Sequence, residues 1–403
     1  MDARRDTLLL GAGWWTGSGI ARGTLAVHDD RMAPAAWSPA LRIDLHDHLV
    51  FPGLINAHDH LHVNAVPPLR AGAAFPSSYA WIEAFRAHFA APEVIAALAL
   101  PKALRLRHGA LKNLLAGSTC VAHHDPWHAA LDAPDFPVAL LRDFGWSYAL
   151  AGPGYGPPVR ASFLGTAPHR PWIIHLAEGT DATARAELAE LDRLGCLAAN
   201  SVLVHGVGLT PRDIERVIGA GAAVVWCPGS NRALLGRTLD PRRLCEAGRL
   251  LLGSDSRLSG ERDLMEELRL ALDRNGLTPT QLLGLVTRDA ARILGLPGRG
   301  RLSPGAHADL LIVEDRGDDP VRSLLGISRS DIRAVVRDGR PQIADPDFAH
   351  WFAASGLDTV PVTLDGRPKL LDRRLADAAL LSLEPGLASD ATADALLAAA
   401  GAA

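Results

Sequence analysis

Lysine is nearly absent from this chain of 403 residues: among its 41 basic residues only Lys102, Lys112 and Lys369 are lysines, and the others are arginines. Cysteine is scarce as well, and the four cysteines are so far apart that they form no C-x-x-C pair, which excludes a zinc ribbon and a dithiol redox motif. The net charge is -4, so the chain has no excess of positive charge with which to hold a polyanion. We therefore expect no nucleic-acid partner.

The sequence also lacks a long apolar run. No stretch reaches the roughly 18 apolar residues that a membrane helix needs, so we expect no membrane partner. Residues 7–15 are apolar and follow two arginines, as in a secretion signal, but Asp2, Asp6 and the glycines of this short run argue against one. We interpret the chain as a cytoplasmic protein that acts on a small-molecule substrate. The sequence leaves the oligomeric state open, a homodimer included.

Short apolar runs alternate with amphipathic stretches from about Leu49 onwards. With 48% hydrophobic and 21% charged residues, 38 glycines and 28 prolines, the composition is typical of a soluble globular enzyme with many turns. The apolar runs have the length of buried strands and the stretches between them have helical periodicity, which predicts a parallel sheet in an α/β fold. The runs are residues 51–56, 118–122, 172–175, 201–205, 222–227 and 250–253, and the clearest helical stretches are 92–116, 181–194 and 211–219.

Strand patterns without helices flank this alternation on both sides. They lie at residues 8–10, 23–28 and 41–44 before it and at residues 308–314 and 332–336 after it. The simplest architecture is a (β/α)8 barrel of the TIM type over residues 51–298, with a small β-sandwich formed jointly by residues 1–50 and 299–345. Residues 346–403 are then a C-terminal extension, whose Ala- and Leu-rich end from about residue 376 is predicted as a peripheral helix.

One part of the predicted barrel is too short for regular spacing. Between the strand near Thr119 and the strand near Trp172, two more β/α units must fit into about 50 residues that are rich in Pro and Gly. We predict the third and fourth strands at residues 137–141 and 146–150, with almost no helix between or after them. The barrel is therefore abbreviated around strands 3 and 4.

The strongest functional signal is the H-x-H motif of His58 and His60, which ends the first of the apolar runs. Successive side chains of a strand point to opposite faces, so these two histidines point to the same face. At the carboxyl end of a barrel strand that face is the interior, where the active sites of TIM barrels lie. Two imidazoles on one face can chelate one cation.

Further potential metal ligands occur where the later strands should end. His175, His205 and Asp255 each closely follow an apolar run of strand length, so the three side chains would converge on the same rim. A catalytic zinc site holds about three protein ligands and a water molecule, and sometimes a fifth ligand. The set of His58, His60, His175 and Asp255 is therefore sufficient for one cation.

Six stretches, in this order along the chain, resemble the amidohydrolase superfamily, and within it the subgroup that includes cytosine deaminase, guanine deaminase and triazine chlorohydrolases. The resemblance covers about residues 7–340. It implies a metal-dependent hydrolase in which an activated water attacks a carbon atom of the substrate. The stretches are PGLINAHDH at residues 52–60, HLAE at 175–178, LVH at 203–205, CPGSN at 227–231, GSDS at 253–256 and GAHADL at 305–310.

Three residues are candidates for the catalytic work. Glu178 lies three residues after His175, where it can take a proton from the water and pass it to the leaving group. Asp255 can bind the metal and also accept a hydrogen bond from the attacking water. His205 is placed to polarise the substrate atom next to the attacked carbon, although it could instead ligate the metal directly.

The scarcity of lysine now distinguishes two subtypes of site. The resemblance implies that binuclear relatives bridge two metals with a carboxylated lysine at the end of strand 4, and this sequence has no lysine between Lys112 and Lys369. We therefore predict one zinc ion per chain, with iron as the alternative metal. His62, His123 and His124 could help to hold a second ion, but contacts around the first site or to the substrate are the preferred interpretation.

The weaker candidates for substrate contacts are His62, Trp81, His123, His124 and Asn231. Trp81 could stack on a planar ring, as could Trp127 and Trp226, although aromatic residues near barrel loops more often pack than bind. Asn231 is more suited to fixing the loop after strand 7 than to touching the substrate.

We predict hydrolytic deamination of an amino-substituted heterocycle or of a related amidine-like carbon. An alternative keeps the site and changes the leaving group to chloride, an alkylamine or a ring amide nitrogen. A third reading is a non-catalytic scaffold of the kind found among hydantoinase-like proteins. Such scaffolds typically lose metal ligands, and this chain has kept them.

Overall fold

Eight parallel strands form the centre of the protein in the computed structural model, which describes residues 6–35, 40–69, 73–151, 154–274, 276–317 and 319–389. The predicted α/β class is confirmed. The eight strands, numbered 1 to 8 in chain order below, are Leu54–Asp59, Ser118–His123, Ala139–Leu140, Gly145–Trp146, Trp172–Leu176, Ser201–His205, Ala223–Trp226 and Leu250–Leu252.

Parallel strands 1 to 3 pair in one sheet and parallel strands 4 to 8 in another. Strands 5 and 6 are buried along their whole length, as expected for strands that are covered on both faces. The two sheets meet where strand 1 runs beside the chain after strand 8, because the backbone N–H groups of Ser254 and Asp255 both donate to the carbonyl of His58. This junction brings the residues that follow strands 1 and 8 together. Within the described residues, no strand pairing joins strands 3 and 4.

The predicted strand 51–56 is wrong in its bounds, because the chain passes there from one sheet to another. His48–Pro52 belongs to a flanking sheet, and parallel strand 1 begins at Leu54. Gly53 lies at the crossing, where a Cβ atom would collide with the side chain of Thr119. Only glycine permits this close approach of the two strands.

Two of the helices around the parallel strands begin where the sequence supplies a capping side chain. The side chain of Asp181 accepts a hydrogen bond from Ala184 N at the start of Ala182–Arg193, and Thr210 forms a capping box at the start of Pro211–Gly219. The single helix predicted over 92–116 is wrong. It is two helices, Pro92–Ala99 and Lys102–Leu115, because a proline at position 101 has no N–H to donate to the preceding turn.

The other helices surround the parallel strands or pack on the flanks. They are Ser78–His88, Val159–Gly165, Pro228–Leu235, Arg242–Glu246, Leu264–Arg274, Pro279–Leu285, Arg288–Ile293, Pro320–Gly326, Ala349–Ala354 and Ala378–Leu383. Strands 3 and 4 have only two residues each, in line with the predicted abbreviation, but the short helix Val159–Gly165 follows strand 4 where almost none was expected. None of the helices in the described ranges is both long and apolar enough to cross a bilayer.

The two flanks of the chain form one sheet of eleven strands. They meet where His48–Pro52 pairs antiparallel with Leu310–Glu314. The other members are Asp6–Trp15, Ile20–His28, Arg31–Ala33, Ala40–Asp44, Ala334–Arg337, Arg340–Ala344, Thr359–Leu364, Arg367–Asp372 and Leu387–Ser389.

The C-terminal segment differs from its prediction. Three of its strands extend the flanking sheet, and the helix predicted from about residue 376 is confined to Ala378–Leu383. The remainder of that predicted helix, from residue 390, lies outside the described residues. The sequence pattern missed these strands because strands of mixed polarity give no clear signal before their pairing partners are known.

Candidate metal centre and active site

Three histidine nitrogens and one carboxylate oxygen converge at the carboxyl ends of parallel strands 1, 5 and 8. The Nε2 atom of His175 lies 3.2 Å from Nε2 of His60 and 3.3 Å from Nε2 of His58. The Oδ1 atom of Asp255 lies 3.7 Å from Nε2 of His58 and 3.6 Å from Nε2 of His60. All four residues are buried or nearly so. The structure therefore brings together the four side chains that the sequence pattern selects as metal ligands.

Hydrogen bonds on the far sides of the rings decide which nitrogen faces the cluster. The Nδ1 atom of His60 donates to Oδ2 of Asp125 over 2.7 Å, and Nδ1 of His175 donates to the backbone carbonyl of Tyr148 over 2.8 Å. A proton on Nδ1 leaves Nε2 of a neutral imidazole as a bare lone pair. Such outer partners are the usual means of orienting metal-binding histidines.

This donor set fits a divalent cation. Two lone pairs on Nε2 atoms 3.2 Å apart cannot hydrogen-bond to each other, so the cluster needs a positive charge between them. Ligands at about 2.0–2.1 Å from a tetrahedral zinc ion lie about 3.3 Å apart. The four separations, from 3.2 to 3.7 Å, are close to this value.

Asp255 is held as a carboxylate with one oxygen committed to the protein. Its Oδ2 accepts hydrogen bonds from the hydroxyls of Ser230 and Ser259, each over 2.6 Å, so Oδ1 is the atom that faces the histidines. Burial by itself would raise the pKa of Asp255, but the neighbouring imidazoles of His58, His60 and His205 hold it well below its usual range. Asp255 therefore presents a negative charge to the cluster.

The backbone at these strand ends is strained. Ala177, His205 and Asp255 have positive φ angles of 54°, 77° and 57°, in the left-handed region that residues other than glycine rarely adopt. Such a conformation costs on the order of 1 kcal/mol or more and persists only where neighbours hold it. At Ala177 the backbone N–H donates to Oε2 of Glu187 over 2.6 Å. The strain is concentrated at the rim that carries the polar side chains.

Glu178 and His205 lie side by side next to the cluster. Oε1 of Glu178 is 3.4 Å from Nε2 of His205. The Nδ1 atom of His205 donates to the amide oxygen of Asn231 over 2.9 Å, and the amide nitrogen of Asn231 donates to Thr238, which fixes its orientation. Burial raises the pKa of Glu178, an effect that His205 opposes and Asp255 reinforces. Both side chains line the cavity above the cluster.

The remaining sequence candidates have different positions. His62 and Trp81 line the cavity, whereas His123 is buried with Nδ1 close to the backbone of Asp59 and Leu61. His124 is buried against the cluster, with ring centroids 4.4 Å from His175 and 5.3 Å from His58, and its Nδ1 has no hydrogen-bond partner.

Asn231, Trp127 and Trp226 are not among the described residues that line the cavity. Asn231 supports His205 through the hydrogen bond described above. The ring of Trp127 packs under Arg142, at 5.0 Å from its centroid, and Trp226 is fully buried. These three residues are therefore placed for packing and support.

Several residues of the site were not predicted. Asp125, Tyr148, Ser230 and Ser259 all hold a residue of the donor cluster, as described above. Only Asp125 carries a signal in the sequence, because it directly follows the histidine pair after parallel strand 2. The carbonyl of Tyr148 and the two serine hydroxyls have no pattern that distinguishes them from other loop residues.

A buried ion pair lies behind the H-x-H motif. The Nζ atom of Lys112 donates to Oδ2 of Asp59 over 2.7 Å and to Oδ1 of Asn64 over 2.9 Å. Asn113 and Ser254 also donate to this carboxylate oxygen of Asp59. Both Asp59 and Lys112 are fully buried. The network anchors the strand end from which His58 and His60 point into the site.

Lys112→Ala is expected to lower the free energy of unfolding by about 3–5 kcal/mol, because it leaves the carboxylate of Asp59 buried without its counter-charge. Denaturant unfolding followed by circular dichroism measures the effect, and Lys102→Ala in the first turn of the same helix is the matched control. A loss of less than about 1 kcal/mol, typical of a surface pair, would contradict the assigned role.

A second buried cluster joins the C-terminal segment to the loop after Asp255. The carboxylate of Glu384 accepts two hydrogen bonds from Arg257, over 2.8 and 2.7 Å, and others from His108 and Arg329. Burial would raise the pKa of Glu384, but His108 and Arg257 hold it well below its usual range. The backbone N–H of Arg257 donates to Asn64, so this cluster is continuous with the network around Lys112.

The sequence and the fold both match known hydrolases. The family model described as Amidohydrolase family matches residues 167–342. A 5-methylthioadenosine/S-adenosylhomocysteine deaminase of Moorella thermoacetica is 26% identical over 81% of this chain and 90% of that protein. One of Syntrophobacter fumaroxidans is 34% identical over 44% of this chain and 46% of that protein. In four relatives, the latter included, the matched segment spans only 26–46% of the relative's length.

A crystal structure of an atrazine chlorohydrolase variant from Arthrobacter aurescens, complexed with zinc and atraton, has the same fold. It superposes with a TM-score of 0.68 at 19% identity and covers 87% of this chain and 99% of its own. The superposition shows a shared fold, and the similarity to the amidohydrolase family model is confined to residues 167–342.

Proposed function

We propose that this protein is a metal-dependent hydrolytic deaminase of an amino-substituted heterocycle or a related amidine-like carbon. The observation that carries the proposal is the position of Glu178. This carboxylate is not one of the four proposed ligands, and it lies beside the cluster of three Nε2 atoms and one carboxylate oxygen. A proton-transferring group next to a cation site is what hydrolysis of a C–N bond at neutral pH requires. Relatives named as deaminases support the same reaction.

We assign His58, His60, His175 and Asp255 as ligands of one zinc ion, with iron as the alternative. The cation would supply Lewis acidity that lowers the pKa of a water molecule from about 16 toward about 7. The protein contributes the geometry, since Asp125 and Tyr148 hold two of the imidazoles in place. The serine pair on Asp255 does the same for the carboxylate.

The proton transfers fall to the residues around the cluster. Glu178 takes the proton of the attacking water and gives it to the departing amino nitrogen, so that ammonia leaves as a neutral molecule. His205 presents Nε2 to the same space and orients the ring atom next to the attacked carbon. Asp255 accepts a hydrogen bond from the water and so fixes its direction of approach.

The same arrangement would serve other leaving groups. Chloride, an alkylamine or a ring amide nitrogen can depart from a carbon attacked in the same way. Chloride is included because the fold is similar to that of an atrazine chlorohydrolase. The distinguishing measurement is the product. A screen of purines, pyrimidines, aminotriazines, chlorotriazines and cyclic ureas with the metal-loaded enzyme, read out as ammonia and chloride release, is expected to give ammonia. Chloride release alone would select the alternative.

We expect one tightly held equivalent of zinc or iron per chain. The reason is the four-donor cluster of His58, His60, His175 and Asp255, together with the absence of a lysine that could be carboxylated at the end of parallel strand 4. Elemental analysis of protein purified without added metal measures the ratio. Two equivalents whose removal abolishes activity together would contradict the mononuclear assignment.

We propose a division of the chain into a catalytic barrel, a composite sandwich and a C-terminal extension. Residues 51–298 form the catalytic barrel, in which we place closure between parallel strands 3 and 4, and residues 1–50 and 299–345 form a composite sandwich beside it. Residues 346–403 are proposed as an extension, whose described part adds strands to the flanking sheet and holds Arg257 through Glu384. We place the enzyme in the cytoplasm, with a homodimer as an assembly to test.

A further inference from the structure

The cavity above the donor cluster has one apolar wall. Its volume is about 440 Å³. The wall is formed by Trp81, Ile82 and Phe85 of the helix Ser78–His88 and by Phe89 just after it. The rings of Trp81 and Phe85 are stacked with centroids 5.1 Å apart, and those of Phe85 and Phe89 meet edge to face at 4.8 Å.

The wall results from the helical repeat. Residues 81, 82, 85 and 89 recur at the spacing that places side chains on one face of a helix, and this face is turned to the cavity. Phe85 is buried, but Phe89 keeps 45% of its surface exposed. Leaving large aromatic surface next to water is unfavourable, at about 25 cal/mol per Å². A ligand that covers this face would recover that free energy.

The aromatic wall itself is formed by uncharged side chains. Among the described residues that line the cavity, Arg86 is the one arginine or lysine, and its guanidinium pairs with Glu83 over 2.7 Å. His62 and Asp125 lie on the side of the donor cluster, as the contact of Asp125 with His60 requires, and the helix Ser78–His88 itself contributes two polar residues, Ser78 and Arg86. The cavity is therefore divided into a polar reaction side and an apolar side along one helix.

We infer that the heterocycle of the substrate carries an apolar arm of several carbon atoms, aliphatic or aromatic, that lies along Trp81, Phe85 and Phe89. This inference rests on the proposed function, because it takes the reacting ring to be at the donor cluster. The arm is continuous with the reacting ring, so the cavity accepts both in one molecule. A bare heterocycle binds the reaction side alone and leaves the aromatic face uncovered.

A substituent series tests the arm. The probes are 9-methyladenine, 9-butyladenine, 9-(2-phenylethyl)adenine and, as a polar arm of butyl length, 9-(2-methoxyethyl)adenine. Each buried methylene raises affinity about 4-fold, so kcat/KM is expected to rise on the order of 10- to 50-fold from methyl to butyl. The phenylethyl compound is expected to exceed the butyl compound, and the methoxyethyl compound to stay near methyl. Dissociation constants for the same probes, from calorimetry on the metal-loaded Glu178→Gln variant, give a readout that does not need turnover.

Variants connect the preference to the wall. Phe85→Ala is expected to reduce the methyl-to-butyl ratio of dissociation constants to below about 5, and Phe89→Ala, at a half-exposed position, gives a smaller reduction without risk to the core. Ile95→Ala is the matched control, since it removes apolar surface from the next helix outside the cavity and should leave the ratio unchanged.

The outcomes separate the two ideas. A flat series, with methyl, butyl and phenylethyl compounds bound and deaminated equally, would overturn the apolar arm and leave the deaminase proposal standing. Binding that strengthens along the series without ammonia release from any compound would support the arm and count against deamination. A methoxyethyl compound bound as tightly as butyl would also overturn the arm, because length alone would then explain the gain.

Discussion

Glu178→Gln is expected to keep one equivalent of metal and to lower kcat by about 10²- to 10⁴-fold. An amide can still hydrogen-bond to His205 and to the reacting groups, but it cannot carry a proton. The loss should be near the upper end of this range, because the residue serves two steps. In the proposed reaction it takes a proton from the water and then delivers it to the leaving nitrogen.

The measurement combines elemental analysis with steady-state ammonia release on the same preparations. Glu190→Gln is the matched control, because Glu190 is on the outer side of the helix that follows parallel strand 5 and pairs only with Arg193 at the surface. Loss of metal in Glu178→Gln would mean that the carboxylate is a ligand. Turnover within a few-fold of the wild type would mean that another group moves the proton.

His58→Asn and His205→Asn are expected to separate a metal ligand from a substrate-orienting residue. His58 faces His175 and Asp255 at the centre of the cluster, so its removal should lower the metal content well below one equivalent. His205 is held by Asn231 with Nε2 toward Glu178, so its removal should retain the metal and abolish most of the turnover. A fifth protein ligand would also crowd the position that the water needs.

The comparison is internal, since both variants make the same change at the end of a parallel strand. Metal content after dialysis against a weak chelator is the first readout, and kcat of the remaining metal-loaded fraction is the second. Equal metal loss in the two variants would move His205 into the ligand set. The orienting role would then fall to His124 or to another side chain beside the cluster.

The donor cluster could be anticipated from the sequence because of a general property of parallel sheets. The carboxyl ends of parallel strands meet at one edge, so polar residues such as His175 and Asp255, each closely following an apolar run, indicate a shared rim. The outer partners could not be found in this way. Ser230 and Ser259 reach Asp255 only because of loop conformations that no periodicity encodes.

The features of the fold that differ from the sequence predictions are of two kinds, some encoded at a single position and others dependent on distant partners. The interruptions at Gly53 and Pro101 are local, but the apolar pattern continues across both positions and therefore gives no sign of them. The strands Thr359–Leu364 and Arg367–Asp372 depend on pairing with each other and with Arg340–Ala344, and short strands of mixed polarity give no clear signal before their partners are known. The aromatic wall of Trp81, Phe85 and Phe89 could not be recognised from the sequence for a similar reason. Its proposed role depends on the donor cluster on the other side of the cavity.

The hydrogen bonds from Arg257 to Glu384 have a consequence for the order in which the site is completed during synthesis. Arg257 lies two residues after Asp255, and the carboxylate that holds it is contributed by a residue near the end of the described chain. During synthesis, His58, His60 and His175 are translated while more than two hundred of the 403 residues are still to be made. Until residue 384 has emerged, the loop that carries Asp255 is held by Asn64 and by the serine hydroxyls on Asp255, but it lacks the hydrogen bonds from Arg257 to Glu384. A nascent chain therefore has all four proposed donors before the last of the contacts that support this loop can form.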